Sequence, residues 1–147
     1  MENDSIAVLL PCLNEESTIA GVVQHFLAVR SVATIYVHDI NSTDQTVPEA
    51  GGHAGAIVRK EPLQGKGNVV RSMFADIEAD IYVLAGGDET YDVASAPGMV
   101  SRLIRNKLDI AVASRLLTET TDWRPAHQFR NRWAWLHGFL ATGSRTS

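Results

Sequence analysis

Side chains that could bind a polar ligand follow three short apolar segments of the chain. Each apolar segment is followed by a carboxylate: Glu15 follows residues 6–10, Asp39 follows residues 34–37, and Asp88 follows residues 81–85. Carboxylates accept hydrogen bonds from nucleobases and ribose hydroxyls, and they bind hard divalent cations. Because ligands of open α/β sheets bind just beyond the carboxyl ends of the strands, the pattern predicts one shared ligand site.

Segments with helical spacing separate these apolar runs. Apolar residues recur every three or four positions over residues 15–29, 69–77 and 99–104, and two further runs, 56–59 and 108–113, have the composition of strands. The alternation predicts an α/β fold, a three-layer sandwich with a mostly parallel central sheet and helices on both faces. No internal repeat or linker divides the sequence, so residues 1–147 are predicted to form a single domain.

The composition is that of a soluble globular protein. Of the 147 residues, 45% are hydrophobic and 20% are charged, which argues against disorder. No apolar stretch approaches the ~20 residues of a membrane span, and the N-terminus lacks the layout of a signal peptide, so a cytoplasmic location is expected. Cys12 is the single cysteine, which excludes an internal disulfide and a multi-cysteine metal site.

The C-terminal part of the chain differs in charge and in apolar pattern. Residues 1–113 contain 8 basic and 15 acidic residues, whereas residues 114–147 contain 5 arginines and 2 acids. The spacing of Phe129, Trp133, Leu136 and Leu140 predicts an amphipathic aromatic helix over residues 126–141. We expect its apolar face to pack on the core, on a second copy of the chain as a homo-oligomer, or on a membrane surface. The arginines suit phosphate groups, or they form a solvated helix face.

Two glycine-containing turns suggest phosphate and metal binding. Gly65-Lys66-Gly67-Asn68 precedes a helical segment, where backbone amides and the Lys66 charge could bind an anion, although the turn is not a Walker A loop. Gly86-Gly87-Asp88-Glu89 follows an apolar segment, where a carboxylate could hold a divalent cation between two phosphates. A tight turn with solvated acids is the alternative for this second segment.

The segment between Asp39 and Asp44 also has a purely structural interpretation. Ser42 or Thr43 is placed to cap a following helix, and capping alone would explain half of the motif. Ligand binding by Asp39 and by Glu15 or Glu16 becomes the stronger interpretation only if these carboxylates converge from separate strands.

Six segments in order resemble the family-2 glycosyltransferases of the GT-A fold, and in particular those acting on polyprenyl phosphates, such as dolichyl-phosphate mannose synthase. The resembling segments are Val8 to Glu16 for "V-x-x-P-x-x-N-E-E", Asp39 to Thr46 for "D-x-x-S-T-D-x-T", Gly65-Lys66-Gly67, Asp88 to Asp92 for the second half of "D-x-D-G-T-Y-D", Ala113-Ser114-Arg115 for "G-S-R", and Arg124 to Arg132 for "R-x-G-H-x-x-G-N-R". Gly86 replaces the first Asp of the D-x-D pair, and Glu89 replaces the glycine that follows it.

The resemblance implies a Rossmann-like nucleotide-sugar-binding domain and names its site. The donor would be bound by residues of the strand-end loops: Pro11, Asn14, Glu15, Asp39, Asn41, Ser42, Asp44, Lys66 and Gly87. Asp88 would hold Mg²⁺ or Mn²⁺ and act in catalysis with Arg115 and His127. The expected reaction moves a sugar from a nucleoside diphosphate to a polyprenyl phosphate at the inner face of the membrane. No nucleic acid partner is expected.

The absence of the family's further "D-x-x-S-G-Y-R" segment predicts a C-terminally truncated domain. With Gly86, this truncation leaves open an inactive pseudoenzyme that binds a nucleotide sugar without transferring it. A receiver-type phosphoacceptor domain shares the alternating topology and size. It requires an acidic pair after the first strand and a lysine after the fifth, where this chain has Pro11-Cys12 and Ser114-Arg115.

Overall fold

The computed structural model describes residues 4–29, 34–53, 55–88, 92–113 and 139–143. The strands are β1 (Ile6–Cys12), β2 (Thr34–Asp39), β3 (Ala56–Lys60), β4 (Ile81–Leu84), β5 (Ile110–Ala113) and β6 (Phe139–Gly143). The helices are α1 (Ile19–Ala28), α2 (Thr46–Gly51), α3 (Lys66–Asp76) and α4 (Ala96–Arg105), with a 3₁₀ turn at Val93–Ser95. The predicted α/β architecture is therefore confirmed, and all five predicted strands are present.

The strands form one sheet in the order β3-β2-β1-β4-β6-β5. β1 lies at its centre and pairs in parallel with β2 and β4, while β3 pairs in parallel with β2. β6 runs antiparallel to both β4 and β5. The loops that follow β1, β2 and β4 consequently leave the sheet at the same edge, which places the three carboxylate segments side by side.

Two apolar cores cover the sheet, one on each face. Alternate residues of β1 enter different cores, because successive side chains of a strand point to opposite faces. Val8 and Leu10 pack with α1, α2 and α4, whereas Ala7 and Leu9 pack with α3. Burial on both faces explains why the β1 sequence is a continuous apolar run rather than an alternating one.

Two helix starts differ from their predicted positions. Residues 15–18 precede α1, which begins only at Ile19. The amide of Glu15 instead donates to the side chain of Thr46 at the start of α2, and the amide of Glu16 donates to Asp44 in the loop after β2. Neither Ser42 nor Thr43 caps α2, whose N-cap position is occupied by Gln45. The Asp44 carboxylate accepts from the Thr46 amide at 2.9 Å and so takes the role predicted for those hydroxyls.

The sheet also changes the interpretation of the C-terminal segment. Residues 139–141, the end of the helix predicted over 126–141, belong to β6, and the rest of that prediction lies outside the described residues. Phe139 pairs with Ala113, and Leu140 pairs with both Leu84 and Val112. At Leu140, the last position of the predicted helical stripe, the chain is instead a strand paired with β4 and β5. Residues 139–143 are therefore an integral part of the sheet.

Candidate functional site

The loops after β1 and β2 are joined by a network of short hydrogen bonds. The Asn14 amide donates to Ser42 Oγ at 2.9 Å, and the Thr43 amide donates to Asn14 Oδ1 at 2.9 Å. Asn14 and Asn41 both have positive φ, 52° and 61°, a conformation that asparagine tolerates better than most residues. The two asparagines therefore allow the sharp turns that bring the loops into contact.

A second set of contacts extends the same junction to the start of α2. The Glu15 amide donates to Thr46 Oγ1 at 2.8 Å, and the Gln45 amide donates to a Glu16 carboxylate oxygen at 2.9 Å. Partial desolvation would raise the pKa of Asp44, but hydrogen bonds from the Thr46 side chain and amide and from the Glu16 amide lower it. Glu16 and Asp44 thus serve the loop junction itself.

Asp39 ends β2 inside this region with only 1% of its surface exposed. Its carboxylate accepts from the Ser42 amide at 3.1 Å, and its carbonyl accepts from the Glu61 amide at 2.8 Å. Asp39 also pairs with Cys12 in the sheet register. The carboxylate is therefore held at the strand end by the backbone around it, as expected from the sequence.

Glu15 points the other way, toward the loop after β4. Burial, and after it the negative charge of Asp88, raises the pKa of Glu15 from 4.5 to about 7. The Cys12 thiol, Lys66 and the Gly87 amide act on the same carboxyl and lower its pKa, but they offset the burial only in part. Glu15 Oε2 is buried and has no hydrogen-bond partner within the described residues.

Three carboxylates therefore converge at the end of β1. Burial raises the pKa of the Cys12 thiol well above its ordinary value, and the charges of Glu15, Asp39 and Asp88 raise it further. These carboxylates come from three separate strand ends, as the sequence pattern predicted. A protonated, buried thiol is unsuited to nucleophilic attack, so Cys12 acts here as a small packing residue.

The glycine before Asp88 fits tightly against this cluster. A Cβ atom on Gly87 would overlap Glu15 Oε2, and it would lie 2.8 Å from Cys12 Sγ and 3.1 Å from Ile19 Cδ1. The Gly87 carbonyl accepts a hydrogen bond from Thr18 Oγ1 at 2.6 Å. Gly87 is buried, whereas Asp88 immediately after it is exposed. Any larger residue here would force Glu15 and Cys12 to move, and Asp88 extends from this position toward solvent.

The basic group of the site comes from the start of α3. This helix begins at Lys66, directly after Gly65, whose φ of 109° is a conformation that favours glycine. Lys66 lies close enough to Glu15 to lower its pKa. The free amides of a helix N-terminus and a lysine at the same place favour an anionic ligand.

The described side chains fit one divalent cation that the ligand itself would help to bind. Asp88 is an exposed carboxylate, and the buried, unpartnered Glu15 Oε2 lies behind it. Hard cations such as Mg²⁺ prefer such oxygens. Among the described residues, however, no group of three or more His, Cys, Asp or Glu side chains could hold a metal ion. The remaining ligands would have to be diphosphate oxygens and water.

The structure thus brings together most of the residues predicted from the sequence. Those found at one edge of the sheet are Pro11, Asn14, Glu15, Asp39, Asn41, Ser42, Asp44, Lys66, Gly87 and Asp88. Arg115, His127 and Glu89 lie outside the described residues. Of these residues, Asn14, Ser42 and Asp44 form hydrogen bonds that join the loop after β1 to the loop after β2. They therefore shape the site.

Two threonines of the site were not predicted. Thr46 is fully buried and accepts from the Glu15 amide, while Thr18 donates to the Gly87 carbonyl. Thr18 precedes the first buried residue of α1, so its position marks a helix cap in the sequence. The contact with Gly87 has no such sequence signal, because it joins residues 69 positions apart.

The chain matches the family model described as "Glycosyl transferase family 2" over residues 7–146. It is 51% identical over 111 residues to Protein RfbJ of Shigella flexneri, covering 76% of this chain and 85% of that protein. It is also 34% identical over 103 residues to the uncharacterized glycosyltransferase Mb0553 of Mycobacterium bovis, covering 70% of this chain and 45% of that one.

The fold is similar to that of glucosyl-3-phosphoglycerate synthase from Mycobacterium tuberculosis. The TM-score is 0.73 at 26% identity, covering 95% of this chain and 57% of the synthase. The synthase has also been crystallised with Mn²⁺, uridine-diphosphate-glucose and phosphoglyceric acid. The chain therefore spans 57% of the synthase and 45% of the glycosyltransferase Mb0553. The family match over residues 7–146, together with the strand-end site, shows that this chain belongs to glycosyl transferase family 2.

Proposed function

We propose that the protein transfers a sugar from a nucleoside-diphosphate donor to an acceptor that carries a phosphate group. The observation that carries this proposal is the convergence of Asp39, Glu15 and Asp88 at the strand ends, with Lys66 beside them. Family membership and the donor bound in the mycobacterial synthase support the same donor class.

The donor would span this site from β2 toward β4. Asp39 would accept hydrogen bonds from the base or ribose, while Asp88 and Lys66 would face the diphosphate. A divalent cation, Mg²⁺ or Mn²⁺, would neutralise the charge of the leaving diphosphate. The Mn²⁺ complex of the synthase supports this assignment, and Asp88 is the described residue we expect to bind the cation. Arg115 and His127 remain proposed contributors of positive charge.

The acceptor we propose is a polyprenyl phosphate. A phosphate monoester with a second pKa near ~6 is already anionic at neutral pH, so it needs no strong general base to attack the sugar. The five arginines after residue 113 would favour anionic lipid head groups. No helix among the described residues is long and apolar enough to cross a membrane. The lipid contact we propose is peripheral.

Nucleotide binding is tested first with Asp39→Ala. Uridine diphosphate affinity, measured by calorimetry with Mn²⁺, is expected to fall by about 1–3 kcal/mol because a buried hydrogen bond to a charged acceptor is lost. Asp4→Ala is the matched control, since Asp4 is exposed and precedes β1 at the opposite edge of the sheet. Equal affinities of Asp39→Ala and the parent would refute the donor assignment.

The acceptor is tested by comparing polyprenyl phosphate with phosphoglycerate. Transfer to the lipid alone supports the proposed acceptor, and transfer to phosphoglycerate alone replaces it with a soluble anion. Binding to anionic vesicles should weaken in a Trp133→Ser, Leu136→Ser double variant. Deletion of residues 127–147 is unsuitable, because it would remove β6 from the sheet.

A donor-binding protein without transfer is the second candidate function. It is favoured by Gly86, which replaces one carboxylate of the family's D-x-D pair. Donor binding with neither hydrolysis nor transfer to any phosphate acceptor would establish it. The two candidates share the donor site and differ only in turnover.

A further inference from the structure

Thr18 occupies the N-cap position of α1, but its hydroxyl does not cap the helix. A threonine at this position usually accepts a hydrogen bond from an amide of the first helical turn. Within the described part of the chain, Thr18 makes no such side-chain bond. Its Oγ1 atom instead donates to the Gly87 carbonyl at 2.6 Å. The hydroxyl therefore joins the start of α1 to the loop after β4.

The same loop residue is also packed closely at its Cα atom. Glu15 Oε2, Cys12 Sγ and Ile19 Cδ1 lie where a side chain would begin. We refer to the hydrogen bond from Thr18 to the Gly87 carbonyl and the packing of Glu15 against the Gly87 Cα atom as the Gly87 clamp. The backbone of Gly87 is therefore held from the β1–α1 segment.

We propose that Thr18 is a positioning residue, which through the Gly87 clamp fixes the Asp88 carboxylate for the cation and diphosphate of the donor. Asp88 is exposed and follows the clamped residue directly, so its backbone position depends on the clamp. Because Gly86 supplies no carboxylate, Asp88 has no second D-x-D ligand to share that task. The inference rests on the proposed function, since Asp88 needs positioning only if it binds a donor complex.

The test compares Thr18→Val with Thr18→Ser. Valine keeps the shape of the side chain and removes the donor, whereas serine keeps the hydroxyl. Ser17→Ala is the matched control, because Ser17 is the exposed neighbour in the same turn. In Thr18→Val, the Mn²⁺ concentration for half-maximal uridine diphosphate binding should rise about tenfold, as is typical for residues that orient a metal ligand. Metal-free nucleotide binding should stay unchanged.

A second measurement uses the protein without any ligand. Amide hydrogen exchange at Gly87 and Asp88 should become about tenfold faster in Thr18→Val and remain close to the parent in Thr18→Ser and Ser17→Ala. Unchanged exchange and unchanged Mn²⁺ dependence in Thr18→Val would overturn the proposal. An equal loss of metal-free and metal-dependent nucleotide binding would also overturn the proposal, because it would indicate that the substitution disturbs the whole site and not the position of Asp88.

Further outcomes distinguish a failure of the positioning role from a failure of the proposed function. If Thr18→Val does not fold, Thr18→Ala replaces it and is judged by the same criteria. A parent chain that binds uridine diphosphate equally well with and without Mn²⁺ overturns the metal role in the proposed function and this positioning role together. Metal-dependent binding by the parent that Thr18→Val leaves unaltered overturns the positioning role alone.

Discussion

The loop after β1 contacts two neighbouring loops in very different ways. Toward the loop after β2, the described contacts pair amides with oxygen acceptors, and hydrogen bonds lower the pKa of Asp44. Toward the loop after β4, half-buried Glu15 lies beside Asp88 with a buried, unpartnered oxygen, and its pKa is raised to about 7. One junction is satisfied by hydrogen bonds within the protein, and the other contains a carboxyl group with a raised pKa and an unpartnered oxygen.

This difference separates structure from function within a single motif. Buried polar atoms are normally hydrogen-bonded, so an unpartnered carboxylate oxygen next to a second carboxylate calls for an explanation. A cation bound with the donor would add positive charge beside these two carboxyl groups. The junction with the β2 loop needs no ligand to satisfy its hydrogen bonds. It can therefore hold the β1 loop in place whether or not a donor and cation are bound beside the loop after β4.

The largest expected effect concerns Asp88. Asp88→Asn should lower Mn²⁺-dependent nucleotide affinity and any transfer rate by about 100-fold. Mutating residues that only support a metal ligand costs up to about 100-fold, and a direct ligand should cost at least as much. Calorimetry with and without a chelator measures it. Glu78→Gln is the control, since Glu78 is exposed and precedes β4, at the opposite edge of the sheet. An unaltered chelator effect in Asp88→Asn would show that the cation binds elsewhere.

Gly87→Ala should damage the same junction through sterics. The added Cβ would overlap Glu15 Oε2 and crowd Cys12 Sγ, so we expect the free energy of unfolding to fall by about 1–3 kcal/mol. Thermal or urea unfolding measures the change. In Gly67→Ala the new Cβ meets nothing within 4 Å, and this helical position should instead gain about 0.5–1 kcal/mol. Similar stabilities for the two variants would contradict the tight fit at Gly87.

Thr46→Val tests the satisfied junction. The variant leaves the partly buried Glu15 amide without its 2.8 Å acceptor, and a cost of about 1–3 kcal/mol in unfolding free energy is expected. Nucleotide binding by the folded fraction should keep its Mn²⁺ dependence. Thr43→Val is the control, because Thr43 is exposed and uses mainly its amide. Loss of Mn²⁺ dependence in Thr46→Val would mean that the two junctions are not separate.

The smallest effect is a pH dependence from Glu15. Because its pKa is raised in the folded protein, the unfolded chain loses the Glu15 proton first, and this group lowers stability as pH rises from about 4.5 to about 7. Glu15→Gln should remove that loss and gain about 1 kcal/mol at pH 8, a value discounted for partial exposure. Urea unfolding at pH 5 and pH 8 measures it. Parallel profiles for variant and parent would indicate that Glu15 ionises normally.

The sequence by itself determined the layers of the fold and the place of the site. Apolar runs such as residues 6–10 predict buried strands, and helical spacing between them predicts the α/β alternation because each period matches one geometry. The carboxylates Glu15, Asp39 and Asp88 could be placed at one sheet edge, since parallel strands end on the same side. These inferences need only local pattern and chain direction.

Only the tertiary structure decided which carboxylates serve the fold and which remain available. Glu15 and Glu16 are adjacent and chemically alike, yet one contacts Gly87 and the other the Gln45 amide. Leu140 likewise continues the helical spacing of Phe129, Trp133 and Leu136, yet residues 139–141 form part of β6, because two neighbouring strands supply backbone partners there. Contacts such as Thr18 with Gly87 join distant parts of the chain, and such pairings depend on packing that no local pattern encodes.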